Sequence, residues 1–197
     1  SNDIRKFCNS KTTYIYPAAF KKIKLKNIKK NKEKIHILNV GSLIKEKGID
    51  TIIKAIQILN NKNIVLNVLG KGYDKIQDET NNLEKLKKKL NLEKQIKFHG
   101  FHKNLKKFYL KADLYINSSH CEGFSSSLVE AMNYNIPVIC SNCKGGNREI
   151  VCNGKAGFLF KVDDAYDLKN KIEKLLKDKK SRSNKIKFAK KHIQQFN

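Results

Sequence analysis

Short apolar runs alternate from residue 35 onward with segments whose apolar residues recur at helical spacing, and this alternation constrains the fold more than any other property of the chain. Residues 35–40, 64–69, 96–98, 114–116, 137–140 and 157–160 read as strands. After the first, Ile49, Ile52, Ile53, Ile56 and Leu59 mark one face of a helix, and after the second Leu83, Leu86 and Leu90 mark another. Residues 104–110 read as a short helix, Leu168, Ile172, Leu175 and Leu176 as a longer one, and residues 188–196 as the end of the last. Strands separated by helices build right-handed βαβ crossovers, so the expected class is α/β: a doubly wound, mostly parallel, Rossmann-like sheet. Gly41, Gly70 and Gly100 follow strands, on the edge where such sheets take ligands.

Residues 1–34 break this rhythm. Lys21 to Lys34 is basic and aperiodic, and the whole stretch reads as a linker in front of a domain spanning residues 35–197. Position 1 is not Met, so an excised or processed piece is expected. The opening residues lead into no apolar stretch, so no secretory leader is expected, and no run approaches the roughly 18 residues of a membrane span. Cys8, Cys121, Cys140, Cys143 and Cys152 are an odd, scattered set, which suits reduced thiols in a cytoplasm better than a disulfide framework.

The formal net charge of +24 raises the question of a nucleic-acid partner. The arginines are only Arg5, Arg148 and Arg182, so the charge is carried by Lys on the polar faces of helices, as in Lys85-Leu86-Lys87-Lys88-Lys89. Bidentate reading of bases and phosphates favours Arg. Nucleic acid is therefore not the expected partner. Attraction to an anionic membrane surface, at about 1 kcal/mol for each well-placed Lys, fits better.

The chemistry concentrates in His120-Cys121-Glu122-Gly123-Phe124-Ser125-Ser126-Ser127-Leu128-Val129-Glu130-Ala131-Met132, which follows a strand end and opens a helix. Free amides and the positive dipole end at that helix start near Ser125 suit a phosphate. Glu130 sits in an apolar turn, costly for a carboxylate unless a hydroxyl donates to it. It lies about 7.5 Å along the axis from the helix start, which suits a nucleoside diphosphate lying along the helix. Ser125, Ser126 and Ser127 lack a signature of an activating base, and capping is their expected duty. Lys47, at the Gly41–Gly48 junction, is placed to reach a phosphate, the plain alternative being an ordinary helix-start lysine. Residues 144–150, Lys144-Gly145-Gly146-Asn147-Arg148-Glu149-Ile150, either shape the sugar side of a pocket or form only a glycine turn. His99 and His120 are ligand contacts or packing residues. Cys140-x-x-Cys143 lacks a second ligand pair for zinc.

Glu122-Gly123-Phe124 through Leu128-Val129-Glu130-Ala131-Met132 resembles the E-x7-E motif of retaining glycosyltransferases of the GT-B fold, especially glycosyltransferase family 4. Asn39-Val40-Gly41-Ser42-Leu43 with Lys47-Gly48-Ile49-Asp50 resembles the family's first donor loop. Leu69-Gly70-Lys71-Gly72, Phe98-His99-Gly100-Phe101, Asn135-Ile136-Pro137-Val138-Ile139, Arg148-Glu149-Ile150-Val151 and Asn153-Gly154-Lys155-Ala156-Gly157-Phe158-Leu159 follow in family order.

The resemblance implies the C-terminal, donor-binding half of such an enzyme, moving a hexosyl-type sugar with retention from a nucleotide diphosphate. It places Glu122 on the donor sugar and Lys47 on the leaving diphosphate as the catalytic pair. Glu130 would bind the ribose, amides from Gly123 to Ser125 the diphosphate, and His99, Gly100 and Phe101 the base. Further donor contacts are implied at Gly41, Ser42, Gly70, Phe124 and Ser126. The family often carries Arg where Ser42 stands, so one phosphate contact loses its charge here. No metal or other cofactor is implied. The segment 142–149 resembles bacterial enzymes of capsule or lipopolysaccharide synthesis, which points to a UDP-sugar and a glycan or lipid-linked acceptor. An N-terminal domain would hold that acceptor, with residues 1–34 its tail and linker, so the isolated chain is expected to bind donor and turn over little. With the thiols and the lysine charge noted above, the expected setting is cytoplasmic, peripheral on the cytoplasmic face of the inner membrane. The alternatives are a catalytically silent nucleotide-binding regulatory module and, further off, a basic nucleic-acid-binding domain.

Overall fold

In a computed structural model that describes residues 33–74 and 76–196, six parallel strands form one sheet in the order β3-β2-β1-β4-β6-β8. The strands are β1 Ile35–Val40, β2 Ile64–Leu69, β3 Ile96–Phe98, β4 Leu114–Asn117, β6 Val138–Ser141 and β8 Phe158–Phe160. A separate two-stranded ribbon pairs β5 Cys121–Glu122 with β7 Lys144–Gly145. The helices are α1 Ile49–Leu59, α2 Thr80–Lys89, α3 Lys106–Lys111, α4 Ser126–Asn133, α5 Asn147–Ile150, α6 Ala165–Lys177 and α7 Lys179–His192. The α/β, doubly wound sheet expected from the sequence is the one found. The linker expected over residues 1–34 falls, apart from Glu33 and Lys34, outside the described residues.

Strand alternation divides the core in two. Ile37, Leu66, Val68, Leu114, Ile116, Ile139, Phe158 and Phe160 face α1, α2 and α6, meeting Ile52, Ile53, Ile56, Leu83, Leu168, Ile172 and Leu175. Leu38, Tyr115, Val138 and Cys140 face the opposite layer, where Tyr109, Leu128, Val129, Met132, Ile150, Ala189, Ile193 and Phe196 cover them. Burying such side chains contributes about 1.5–3 kcal/mol each, and strands covered on both faces read as nearly unbroken apolar runs. Among the described residues no helix is long and apolar enough to cross a membrane.

The chain runs outward from β1 to β2 and β3, then returns to lay β4 against the other side of β1. This reversal is the topological switch point, where loops from adjacent strands diverge and leave a crevice. The two neighbours of β1 pair very differently. β2 is in register from Ile35↔Ile64 to Val40↔Leu69, whereas β4 pairs only at Ile37↔Leu114 and Leu38↔Tyr115.

Candidate functional site

Two adjoining cavities open at the switch point. One is a polar cleft of ≈ 290 Å³ whose walls include Asn39, Lys47, Asn117, Ser119, Glu122 and Ser125. The other is a largely apolar cavity of ≈ 380 Å³, where Leu69, Gly70, Phe101, His102 and Leu105 contribute walls. Val40, Gly41, Ser42 and Tyr73 belong to both. The polar cleft also takes in Phe124, Ser126 and Ser127.

Lys47 reaches this cleft through a left-handed turn. After the 3₁₀ turn Lys45–Lys47, Gly48 adopts φ 57°, and a Cβ there would stand 2.5 Å from the Ser118 carbonyl oxygen. The turn is clamped on the loop after β4: Ser118 Oγ donates to the Lys47 carbonyl at 2.7 Å, and the His120 amide donates to the Glu46 carbonyl at 2.8 Å. His120 Nε2 also lies 2.7 Å from Asp163 Oδ1, a close approach without hydrogen-bond geometry. Lys47 Nζ lies 2.7 Å from Glu122 Oε2, with those side chains 24% and 14% exposed. Ser119 Oγ donates to the same oxygen at 3.0 Å. From behind, Glu122 pairs with Gly145, and the Gly146 amide donates to the Glu122 carbonyl at 2.7 Å. An ammonium and a carboxylate thus stand together at the mouth, each held by backbone.

Helix α4 begins beside them without a side-chain cap. The expectation that the serines cap it is corrected here. The amide of Asn117 donates to Ser125 Oγ at 3.0 Å, while Ser127 Oγ accepts from the Tyr115 hydroxyl at 2.7 Å and donates to the Val40 carbonyl at 3.1 Å. Tertiary partners have taken the hydroxyls, and the helix start keeps its positive end for a ligand. Ser126 is exposed, and Gly123 has open space about its Cα.

Glu130 and His99 stand back from both cavities. Glu130 is half-buried on α4, where loss of solvent pushes its carboxyl above the usual range and a hydrogen bond from Tyr109 works the other way. The same burial raises the Tyr109 hydroxyl. His99 Nε2 meets Asn67 Oδ1 at 2.9 Å, and its ring sits edge-on to Phe108 with centroids 4.9 Å apart. Burial and then His102 and nearby lysines push its pKa down. The ring at the apolar cavity is instead His102, with Phe101 opposite and Lys71 Nζ 5.8 Å from the Phe101 centroid. Gly100 adopts φ 69° and accepts from the Gly70 amide at 2.9 Å.

Sequence reasoning passed over Tyr73, His102, Asn117 and Ser119 as site residues, and took in Asn39 and Asn147 only as members of longer segments. A polar amide near the end of an apolar strand, as in Asn39 and Asn117, was the available signal. Among the described residues, no group of three or more His, Cys, Asp or Glu is placed to hold a metal ion.

The sequence profile described as Glycosyl transferases group 1 matches residues 20–192. The chain belongs to this family. Among glycosyl transferases group 1 relatives and their kin, a Campylobacter jejuni enzyme is 34% identical over 74% of this chain and 38% of its own length; it is named N-acetylgalactosamine-N,N'-diacetylbacillosaminyl-diphospho-undecaprenol 4-alpha-N-acetylgalactosaminyltransferase. The capsular polysaccharide biosynthesis glycosyltransferase CapM of Staphylococcus aureus is 29% identical over 83% of this chain and 44% of CapM. The chain therefore spans less than half the length of these relatives. Among solved structures, Anabaena HepE in complex with UDP and glucose superposes with a TM-score of 0.78 at 25% identity, over 83% of this chain and 44% of HepE. The C-terminal domain of a Francisella tularensis group 1 protein has the same fold, with a TM-score of 0.71 at 24% identity over 82% of this chain and 85% of that one. The present fold is accordingly that of the C-terminal domain in a GT-B glycosyltransferase.

Proposed function

We propose that this chain is the donor-binding domain of a retaining glycosyltransferase that uses a UDP-sugar and an acceptor held by a second domain. The observation that carries this reading is the convergence of Lys47, Glu122 and the uncapped start of α4 on one cleft at the switch point. The apolar cavity next to it accommodates the base, with Phe101 on its wall, and the ribose reaches past the cavity walls to Glu130, half-buried on α4. The diphosphate lies between, against Ser42, Ser125 and the α4 amides.

Transfer breaks the bond between the anomeric carbon and the diphosphate oxygen, and negative charge grows on the leaving group. Lys47 and the α4 amides are placed to stabilise that charge. Ser119 and Gly146 fix Glu122 so that its free acceptor capacity faces a sugar hydroxyl. The HepE complex with UDP-glucose and the capsule-related name of CapM support the donor class and a glycan or lipid-linked acceptor. The reading places the work beside an anionic membrane surface, which the lysine-rich α2 and α7 suit, with no resident metal cofactor.

Isothermal calorimetry with UDP, UDP-hexoses, UDP-N-acetylhexosamines and GDP tests it. UDP compounds should bind, GDP more weakly, and Glu130→Ala should abolish binding. A folded wild-type chain that binds no nucleotide would defeat the proposal. Salt-dependent binding of DNA or RNA that survives Glu130→Ala would favour the nucleic-acid alternative.

A further inference from the structure

Behind the cleft lies a buried amide network with a fixed direction. Asn117, the last residue of β4, is 5% exposed. Its Oδ1 accepts from the Ser119 backbone amide at 3.2 Å, and because a backbone N–H can only donate, the side-chain amide has one possible orientation. Nδ2 must then face Ser125 Oγ and donate to it. Asn147, fully buried at the start of α5, secures the arrangement by donating to Asn117 Oδ1 at 3.0 Å. Asn147 is oriented in turn by acceptors gathered around its Nδ2: the Ser141 carbonyl at 3.2 Å, Ser141 Oγ at 3.3 Å and Cys143 Sγ at 3.4 Å.

Ser125 Oγ is left as an acceptor whose own proton must go elsewhere. The hydroxyl of Ser127, 3.5 Å away, is a poor recipient, since it already accepts from Tyr115 and donates to Val40. Ser125 forms part of the cleft wall. Asn147 Oδ1, meanwhile, is buried with no hydrogen-bond partner among the described residues. Such an orphan costs stability, and an apolar side chain of similar size would avoid it. Only the donating half of this amide has work to do.

We propose that Asn147 and Asn117 form a one-way hydrogen-bond relay whose output is the Ser125 hydroxyl proton, presented to a phosphate oxygen of a bound nucleoside diphosphate. Asn147 and Asn117 are positioning residues, and Ser125 is the group that touches the ligand. The same turn of Ser125 toward Asn117 keeps the start of α4 uncapped. The inference rests on the donor-binding reading, and its test separates the two.

The measurement is the advantage of UDP over uridine in binding to the full chain, since the relay acts on phosphate alone. Ser125→Ala should lower that advantage about tenfold, the worth of one charge-assisted hydrogen bond, with uridine unchanged. Ser125→Thr, which keeps the hydroxyl, should restore it. Asn147→Ala should act in the same direction as Ser125→Ala but more weakly, because the Ser119 amide still orients Asn117, and the double variant should lose no more than Ser125→Ala alone. If the wild type prefers UDP and Ser125→Ala keeps the full preference, the relay is overturned while the donor reading stands. A folded wild type that binds neither compound overturns both. Losses from Asn147→Ala that fall equally on uridine, or that add in full to Ser125→Ala, make Asn147 a packing residue and refute the relay. Should Asn147→Ala not fold, the Ser125 pair still decides whether the hydroxyl serves phosphate.

Discussion

Replacing Gly145 with alanine probes whether Glu122 is held from behind. Gly145 adopts φ 110°, and a Cβ there would stand 1.9 Å from the Glu122 carbonyl oxygen, where ordinary contact begins at 3.4 Å. The two chains must therefore part by about 1.5 Å, which stretches the adjacent 2.7 Å bond from the Gly146 amide well past hydrogen-bond length. Losing that bond costs about 1 kcal/mol, and an alanine at positive φ costs about 1–2 kcal/mol. Together they predict a destabilisation of about 2–3 kcal/mol, or a melting temperature lower by about 5–10 °C for a domain of this size. Gly123→Ala is the matched comparison, because nothing lies within 4 Å of the Cβ it would add. Thermal unfolding by circular dichroism reads both variants, and on the proposed donor-binding role, in which the Glu122 carboxylate faces the sugar, calorimetry should show Gly145→Ala weakening a UDP-hexose more than UDP. If Gly145→Ala melts within about 1 °C of Gly123→Ala, the ribbon does not hold Glu122 in place.

Burial raises the Glu130 carboxyl above its unfolded value, so its charged form opposes folding at neutral pH and ceases to do so once pH falls below the ordinary carboxylate range. Glu130→Gln should thus be more stable than wild type at pH 7, with the difference shrinking toward pH 4 in urea titrations; an equal difference at both pH values would contradict this. Lys47→Met should reduce UDP affinity by about 10- to 100-fold, as expected for a lost contact between charged groups, and leave uridine affinity unchanged. Phe101, 63% exposed beside the apolar cavity, should on change to serine weaken UDP and uridine alike, and a loss confined to UDP would place the base elsewhere.

The alternation of strands and helices was readable because each main strand is covered on both faces and each helix on one. Residues 35–40 and 64–69 match β1 and β2, whereas the short helix expected at residues 104–110 begins later, at Lys106. The ribbon of Cys121–Glu122 with Lys144–Gly145 was not legible: two residues carry no periodicity, and the pairing joins segments more than twenty positions apart. The four-residue α5 escaped for the same reason. Within the site, Lys47 and Glu122 were singled out from their places in separate loops, and the clamp by Ser118, Ser119 and His120 explains how they meet. The serine caps were misjudged because local preference favours a hydroxyl over a free helix amide, and Asn117 and Tyr115 outbid it through contacts no sequence window contains.

The short pairing of β1 with β4 gives the cleft its mechanical character. Beyond Leu38 the two strands separate, and side chains replace the backbone ladder: Asn39 bridges to the Ile116 carbonyl at 2.9 Å, while Ser127 and Tyr115 both reach the Val40 carbonyl. A gap propped by struts has its width fixed before anything enters it. Nucleotide binding should therefore leave backbone order nearly unchanged, and amide exchange in β1 and β4 should be equally slow with and without nucleotide. On the donor-binding proposal, any large motion accompanying turnover then belongs to the joint with the proposed acceptor-holding domain.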